Sequence, residues 1–132
     1  MNQQEAFNQV VSNMRDQGKP CYGKFSNLAF ENKANNTRCA IGSMLSSETL
    51  QMIEDEDISE VAEILEEDID ELDISDLTHI QQCLFWENMA EIHDDTFIDL
   101  LPDDSNWMQE CEIKWGTYAA EAGLTLTAQE SK

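Results

Sequence analysis

Apolar residues return every three or four positions along most of this chain, which is the period of an amphipathic helix. Phe7, Val10, Val11 and Met14 form the first such stripe, and Gly18 and Pro20 close it. Residues 20–42 break the pattern. Up to residue 38 they are polar, rich in Asn and punctuated by Gly23, Tyr22, Phe25 and Phe30, which predicts an irregular segment or a small hairpin, and Cys39-Ala40-Ile41-Gly42 then leads into Met44 and Leu45. Ser46 or Ser47 can cap a short helix reaching about Ile53, because a serine oxygen satisfies the open N–H groups of a first turn. From Ser59 the spacing of Val61, Ile64, Leu65, Ile69 and Leu72 predicts another helix. A longer one is expected from about Ser75 to His93, with Leu77, Ile80, Leu84, Phe85, Met89 and Ile92 inward and Asp94-Asp95 opening the next connection. Ser105 is placed to cap a last helix whose face carries Trp107, Met108, Cys111, Trp115, Tyr118 and Ala122, and Gly123 stops it. Leu124 and Leu126 can still pack behind it.

The sum is a mainly α domain over residues 1–126, a compact bundle of four to six helices with a small irregular or β element near residues 20–42. Residues 127–132 are expected to be a flexible tail. Phe7, Val10, Leu65, Leu84, Trp115 and Tyr118 are its expected core. At 132 residues with 41% apolar residues, three Trp and five Phe, the chain has the material for that core. No basic-then-apolar leader and no long apolar run is present, which predicts a cytoplasmic protein with reduced thiols.

Charge changes the picture most. The net charge is −21, and residues 39–113 hold 23 Asp and Glu without one Lys or Arg. Such a band forgoes internal ion pairs and repels itself, so it is best understood if something reads the field. Its sign argues against direct binding to nucleic acid or to an anionic membrane. Duplex DNA carries a charge per ~1.7 Å of axis, so this many carboxylates match roughly 40 Å of duplex. A domain of this length is roughly 36 Å wide. The charge content is therefore that of the DNA it could cover, and surfaces built for phosphates are the natural readers. The expected contact residues are Glu54, Asp55, Glu56, Asp57, Glu60, Glu63, Glu66, Glu67, Asp70 and Glu71, with Asp94, Asp95, Asp103 and Asp104 as a second patch. An acidic adaptor that docks through an apolar patch, with Trp86 or Trp107 as anchor, is the alternative.

Other chemistry is thinner. Asp55, Asp57, Ser59, Val61, Glu63 and Glu66 fall on the frame of a calcium loop, but Glu60 stands where the turn needs Gly. Cys39 with His93 and Asp94 could make a nucleophile–base pair, although surrounding anions disfavour a thiolate. Cys21, Cys39, Cys83 and Cys111 are too far apart in sequence for a CxxC site. The expectation is a binding protein that is not an enzyme and needs no cofactor or metal.

Cys21-Tyr22, then Arg38-Cys39-Ala40-Ile41-Gly42, then His93-Asp94, with Ala119-Ala120-Glu121-Ala122-Gly123-Leu124 at the close, resemble a family of small phage and prophage proteins. That family shows C-Y, K/R-C-A-I-G and H-D elements in this order. Ser43-Met44-Leu45-Ser46 replaces its usual apolar–Pro–acid continuation. The resemblance covers about residues 4–124. It implies a mobile-element setting and a shared core, and no activity. Joined to the charge, it points to an inhibitor of host restriction, CRISPR-type or other defence complexes acting in the host cytoplasm.

Overall fold

A computed structural model of the chain describes residues 1–21, 31–34, 36–56, 61–67, 69–100 and 105–127, the side chains of 61 and 62 excepted. It is mainly helical, with five α-helices and one two-stranded sheet among those residues.

Helix α1 (Gln3–Gln17) starts on a reciprocal cap. Asn2 Oδ1 accepts from the Glu5 N–H at 2.8 Å while Glu5 Oε1 accepts from the Asn2 N–H at 3.0 Å. Gly18 ends it in the left-handed region at φ 71°, as its position after the apolar stripe predicts. Strands β1 (Glu31–Asn32) and β2 (Thr37–Arg38) pair antiparallel, Glu31 opposite Arg38 and Asn32 opposite Thr37. The expected small element near residues 20–42 is this hairpin. Two glutamines of α1 pair with backbone as a strand would. Gln17 accepts from the Arg38 N–H and donates to its carbonyl, at 2.7 and 2.9 Å. Gln4 does the same with Thr125, at 2.9 Å each way.

Helix α2 (Ser47–Asp55) is capped by Ser46, whose Oγ accepts from the Thr49 N–H. Helix α3 (Val61–Glu66) is shorter than its apolar spacing predicts. Ile69 is already extended at ψ 112°, and a 3-10 turn spans Asp70–Leu72. Dense acids explain the early end, since Asp is a weak helix former and like charges repel at helical spacing. Ile64 and Leu72 are buried all the same.

The largest departure from expectation is α4 (His79–Leu100), which starts four residues late and runs seven past His93. Thr78 and Gln81 form its opening cap: the Gln81 N–H donates to Thr78 Oγ1 at 3.2 Å, and the Thr78 N–H to Gln81 Oε1 at 2.9 Å. Ser75 instead donates to the Met1 carbonyl. Its inward face is Phe85, Trp86, Met89, His93, Thr96 and Phe97. Ile80 and Leu84, both expected inside, are 72% and 55% exposed. Helix α5 (Trp107–Ala122) follows with Asn106, not Ser105, at its N-cap, and Gly123 stops it at φ 72°.

The core lies between α1, α4 and α5 and is dominated by Trp86, Trp107 and Trp115. Phe7, Val10 and Trp115 are fully buried, Leu65 and Tyr118 partly so. Trp86 and Trp107 are interior side chains and offer nothing to a partner. Trp86 Nε1 donates to the Leu72 carbonyl at 3.0 Å and Trp107 Nε1 to that of His93 at 3.2 Å.

Candidate interaction surface

Most described acids of the 39–113 band end up on the outside of α2, α3, α4 and their junctions. Glu54, Asp55 and Glu56 are exposed at the C-terminal end of α2, where Leu50 and Ile53 turn inward. On α3, Ile64 is buried, and Glu63, Glu66 and Glu67 share the opposite side and are exposed. Asp70 is exposed on the following turn. Asp57, Glu60, Asp103 and Asp104 lie outside the described residues.

Where these charges sit on their helices is informative. A helix C-terminus carries partial negative charge, so an acid there is unfavourable by about 0.3–1 kcal/mol at low salt. Helix α1 comes nearer to this, with Glu5 in its first turn and Arg15 in its last, where Arg15 stands beside Asp16. Helices α2, α3 and α4 do not. None has a basic residue in its last turn, and Glu54, Asp55, Glu66 and Asp99 stand at those ends. Along α4, Glu87, Glu91, Asp95 and Asp99 repeat every fourth position and are all exposed. Each like-charge pair at that spacing costs a few tenths of a kcal/mol. Cations do little to relieve this among the described residues. Lys33 lies 3.5 Å from Glu54 and Lys114 lies 3.6 Å from Asp99, both in solvent-exposed pairs. The Glu87–Asp99 repeat was invisible to a reading that ended the helix at His93. Its signal is the i, i+4 spacing of acids continuing through Asp95.

Two of the expected contact acids have internal work. Glu71 accepts from the Ser46 N–H, Ser46 Oγ and Thr49 Oγ1, and so ties the Asp70–Leu72 turn to the start of α2. Asp94 holds His93, with Oδ1 2.7 Å from Nδ1. Asp76 and Glu112, which were not singled out, are similar. Asp76 accepts from the Gln3 N–H at the start of α1, and Glu112 forks onto Arg15. That carboxylate raises the guanidinium's pKa, chiefly by hydrogen bonding.

The motif elements converge away from the acidic surface, at a buried junction. The Cys21 N–H donates to His93 Nε2 at 2.9 Å, so Nε2 carries the lone pair and Nδ1 carries the proton given to Asp94. Trp107 stands edge-on to this imidazole at 5.3 Å. Cys21 Sγ donates to the Thr37 carbonyl at 3.4 Å, and the Gly42 N–H donates to Cys39 Sγ at 3.3 Å. His93 therefore sits in mid-helix and joins α4 to the exit of α1; it caps no helix end. Desolvation pushes the Cys39 thiol up to about 12, so it holds no thiolate at neutral pH. All four cysteines are free thiols, and no cluster of three or more His, Cys, Asp or Glu suited to a metal occurs among the described residues. The calcium frame is not assembled there either: Glu63 and Glu66 stand on α3, and Asp57 and Ser59 lie outside the described residues. No helix among the described residues is long and apolar enough to cross a membrane.

No family model, curated protein or solved structure matches the chain.

Proposed function

We propose that this protein is an acidic inhibitor that occupies the DNA or RNA site of another protein by presenting carboxylates where phosphates would lie. The observation that carries this reading is the placement of acids in α2, α3 and α4. Acids close the C-terminal ends of these helices with no basic residue in the last turn, and they recur at like-charge spacing along α4, while α1 of the same chain sets Arg15 beside the acid of its last turn. Stability alone favours a basic residue in the last turn, as α1 has. A sustained field selects the opposite, and a field of this sign steers toward cationic sites. The resemblance of the Cys21, Arg38–Gly42 and His93-Asp94 elements to phage proteins supports a target among host defence complexes.

The contact set is Glu54, Asp55, Glu56, Glu63, Glu66, Glu67, Asp70 and Asp95, all exposed. Asp57, Glu60, Asp103 and Asp104 belong with them by sequence. Glu71 and Asp94 are left out because their carboxylates hold the fold. An adaptor that docks through apolar contacts is the second reading, favoured by the exposure of Ile80, Leu84 and Ile98.

Salt and charge separate the two. A partner captured on the immobilised protein is purified and its affinity measured across a salt series. Mimicry predicts a steep loss with salt, and it predicts that replacing Glu60, Glu63, Glu66 and Glu67 by Gln weakens binding by on the order of 1–4 kcal/mol. A salt-insensitive complex that tolerates the four substitutions selects the adaptor.

A further inference from the structure

The outer face of α4 is not random. Ile80, Leu84, Glu87, Glu91 and Ile98 follow one another in steps of four, three, four and seven residues, the last passing over the seam position at Asp94. At ~100° per residue they fall within an arc of ~60°, opposite the buried Met89. This is the seam spacing of a helix that packs along another helix. Ile80, Leu84 and Ile98 are 72%, 55% and 52% exposed, and Glu87 and Glu91 are exposed between them. The seam runs about 27 Å, at 1.5 Å per residue. It has apolar ends and an anionic middle.

From this geometry we infer that α4 docks an α-helix of the partner that carries Lys or Arg opposite Glu87 and Glu91 and apolar side chains toward both ends. The inference rests on the charge-mimicry reading and specifies the basic element that is met. Helices that enter a DNA groove present cations in this way. Two features select a cationic helix over a second copy of this chain. Pairing two α4 seams brings Glu87 and Glu91 of one copy against the same residues of the other, and like charges at seam positions disfavour that pairing. The remaining exposed acid on this side, Asp95, adds to the same sign. The apolar ends supply contact that salt does not screen, so this face gives the complex its register, and the surrounding acids give it its rate.

The test uses the full chain and three synthetic helical peptides of about 22 residues. The first has apolar–Lys–Lys–apolar seam positions, the second has Glu in place of the two Lys, and the third keeps Lys but has Ala at the apolar ends. Binding is read by fluorescence anisotropy at physiological salt. The parent should bind the first peptide at least about tenfold more tightly than either control. Leu84→Ala, at an exposed site, should weaken that binding several-fold without altering the melting temperature. The double variant E87K/E91K should reverse the preference and take the Glu peptide. Equal binding of the first and third peptides, indifference to Leu84→Ala, or an E87K/E91K variant that still prefers Lys would overturn the inference. So would a parent that sediments as a dimer through this face. If the peptide result fails while the protein still displaces DNA from its target, the α4 inference falls and mimicry stands. If the peptide binds as stated but DNA stays on the target, mimicry falls alone.

Discussion

Thr96 shows how much a single side chain in α4 contributes to the balance of this fold. Its Oγ1 is buried, and the one partner beside it is the Cys111 thiol, a weak hydrogen-bonding group. A hydroxyl with only a thiol for partner recovers little of the about 1–3 kcal/mol that its burial costs. Thr96→Val keeps the branched shape and removes the oxygen, so it should raise stability by on the order of 1 kcal/mol, seen as a higher urea midpoint at unchanged slope. Cys39 and Cys111 make a second prediction. Burial raises both thiols from 9.0 to about 12. The folded state holds these protons where the unfolded chain releases them. The stability they contribute is therefore complete below pH 9 and is lost as pH rises from 9 toward 12. Each thiol accounts for on the order of 4 kcal/mol across that window. Urea unfolding at pH 8, 10 and 11 should show the decline, and the variant C39A/C111A should show a much shallower one. An identical slope in the variant would assign the alkaline loss to other groups. The same residue scale explains why Glu71 and Asp94 were read as surface acids. Nothing in sequence marks a carboxylate whose donors come from 22 or 25 residues away, as those of Glu71 do. Asp94 could be seen beside His93, but the Cys21 N–H that fixes the ring's other nitrogen could not.

At the scale of elements, α1, the Ser46 cap and the stops at Gly18 and Gly123 were legible, because each is written in local chemistry. Helix α4 was not. It carries large apolar residues on both sides, so its register cannot be chosen from periodicity alone. Phe85, Trp86 and Phe97 bury more surface than Ile80 and Leu84, and the side that holds them faces the core. Its end was misplaced because His93-Asp94-Asp95 has the composition of a connection, whereas packing of His93 against Trp107 and Cys21 keeps it helical. The acids at the end of α2 give an element-level prediction. Glu54→Gln with Asp55→Asn should stabilise the fold by about 0.3–1 kcal/mol per site at low ionic strength, since the changes remove charge from a helix C-terminus. The gain should shrink as salt is added. A loss of stability, or a gain independent of salt, would mean that the Lys33–Glu54 pair and the Gln51 donation to Asp55 outweigh the dipole. Stabilisation of the fold together with weaker partner binding is the signature expected of charges kept for recognition.

For the whole molecule, periodicity foretold a helical fold and composition foretold that it could bury a core despite its charge, and the structure has that fold. Composition also gave the sign and extent of the acidic band. It could not say which carboxylates stay outside, because that depends on the register of α4 and on the internal ties of Glu71, Asp76, Asp94 and Glu112. Of the described acids in residues 39–113, those that remain exposed belong to α2, α3, α4 and their junctions, and the proposal is that this surface and a nucleic acid compete for one cationic site. The most direct measurement starts from the purified target loaded with fluorescent duplex DNA. This protein is added, and free and bound DNA are followed by anisotropy while the species present are resolved by sedimentation. Charge mimicry predicts release of all the DNA at saturating protein, one complex of target with this protein, and an apparent affinity that falls steeply as salt rises. A stable ternary species in which the target holds both its DNA and this protein would contradict it.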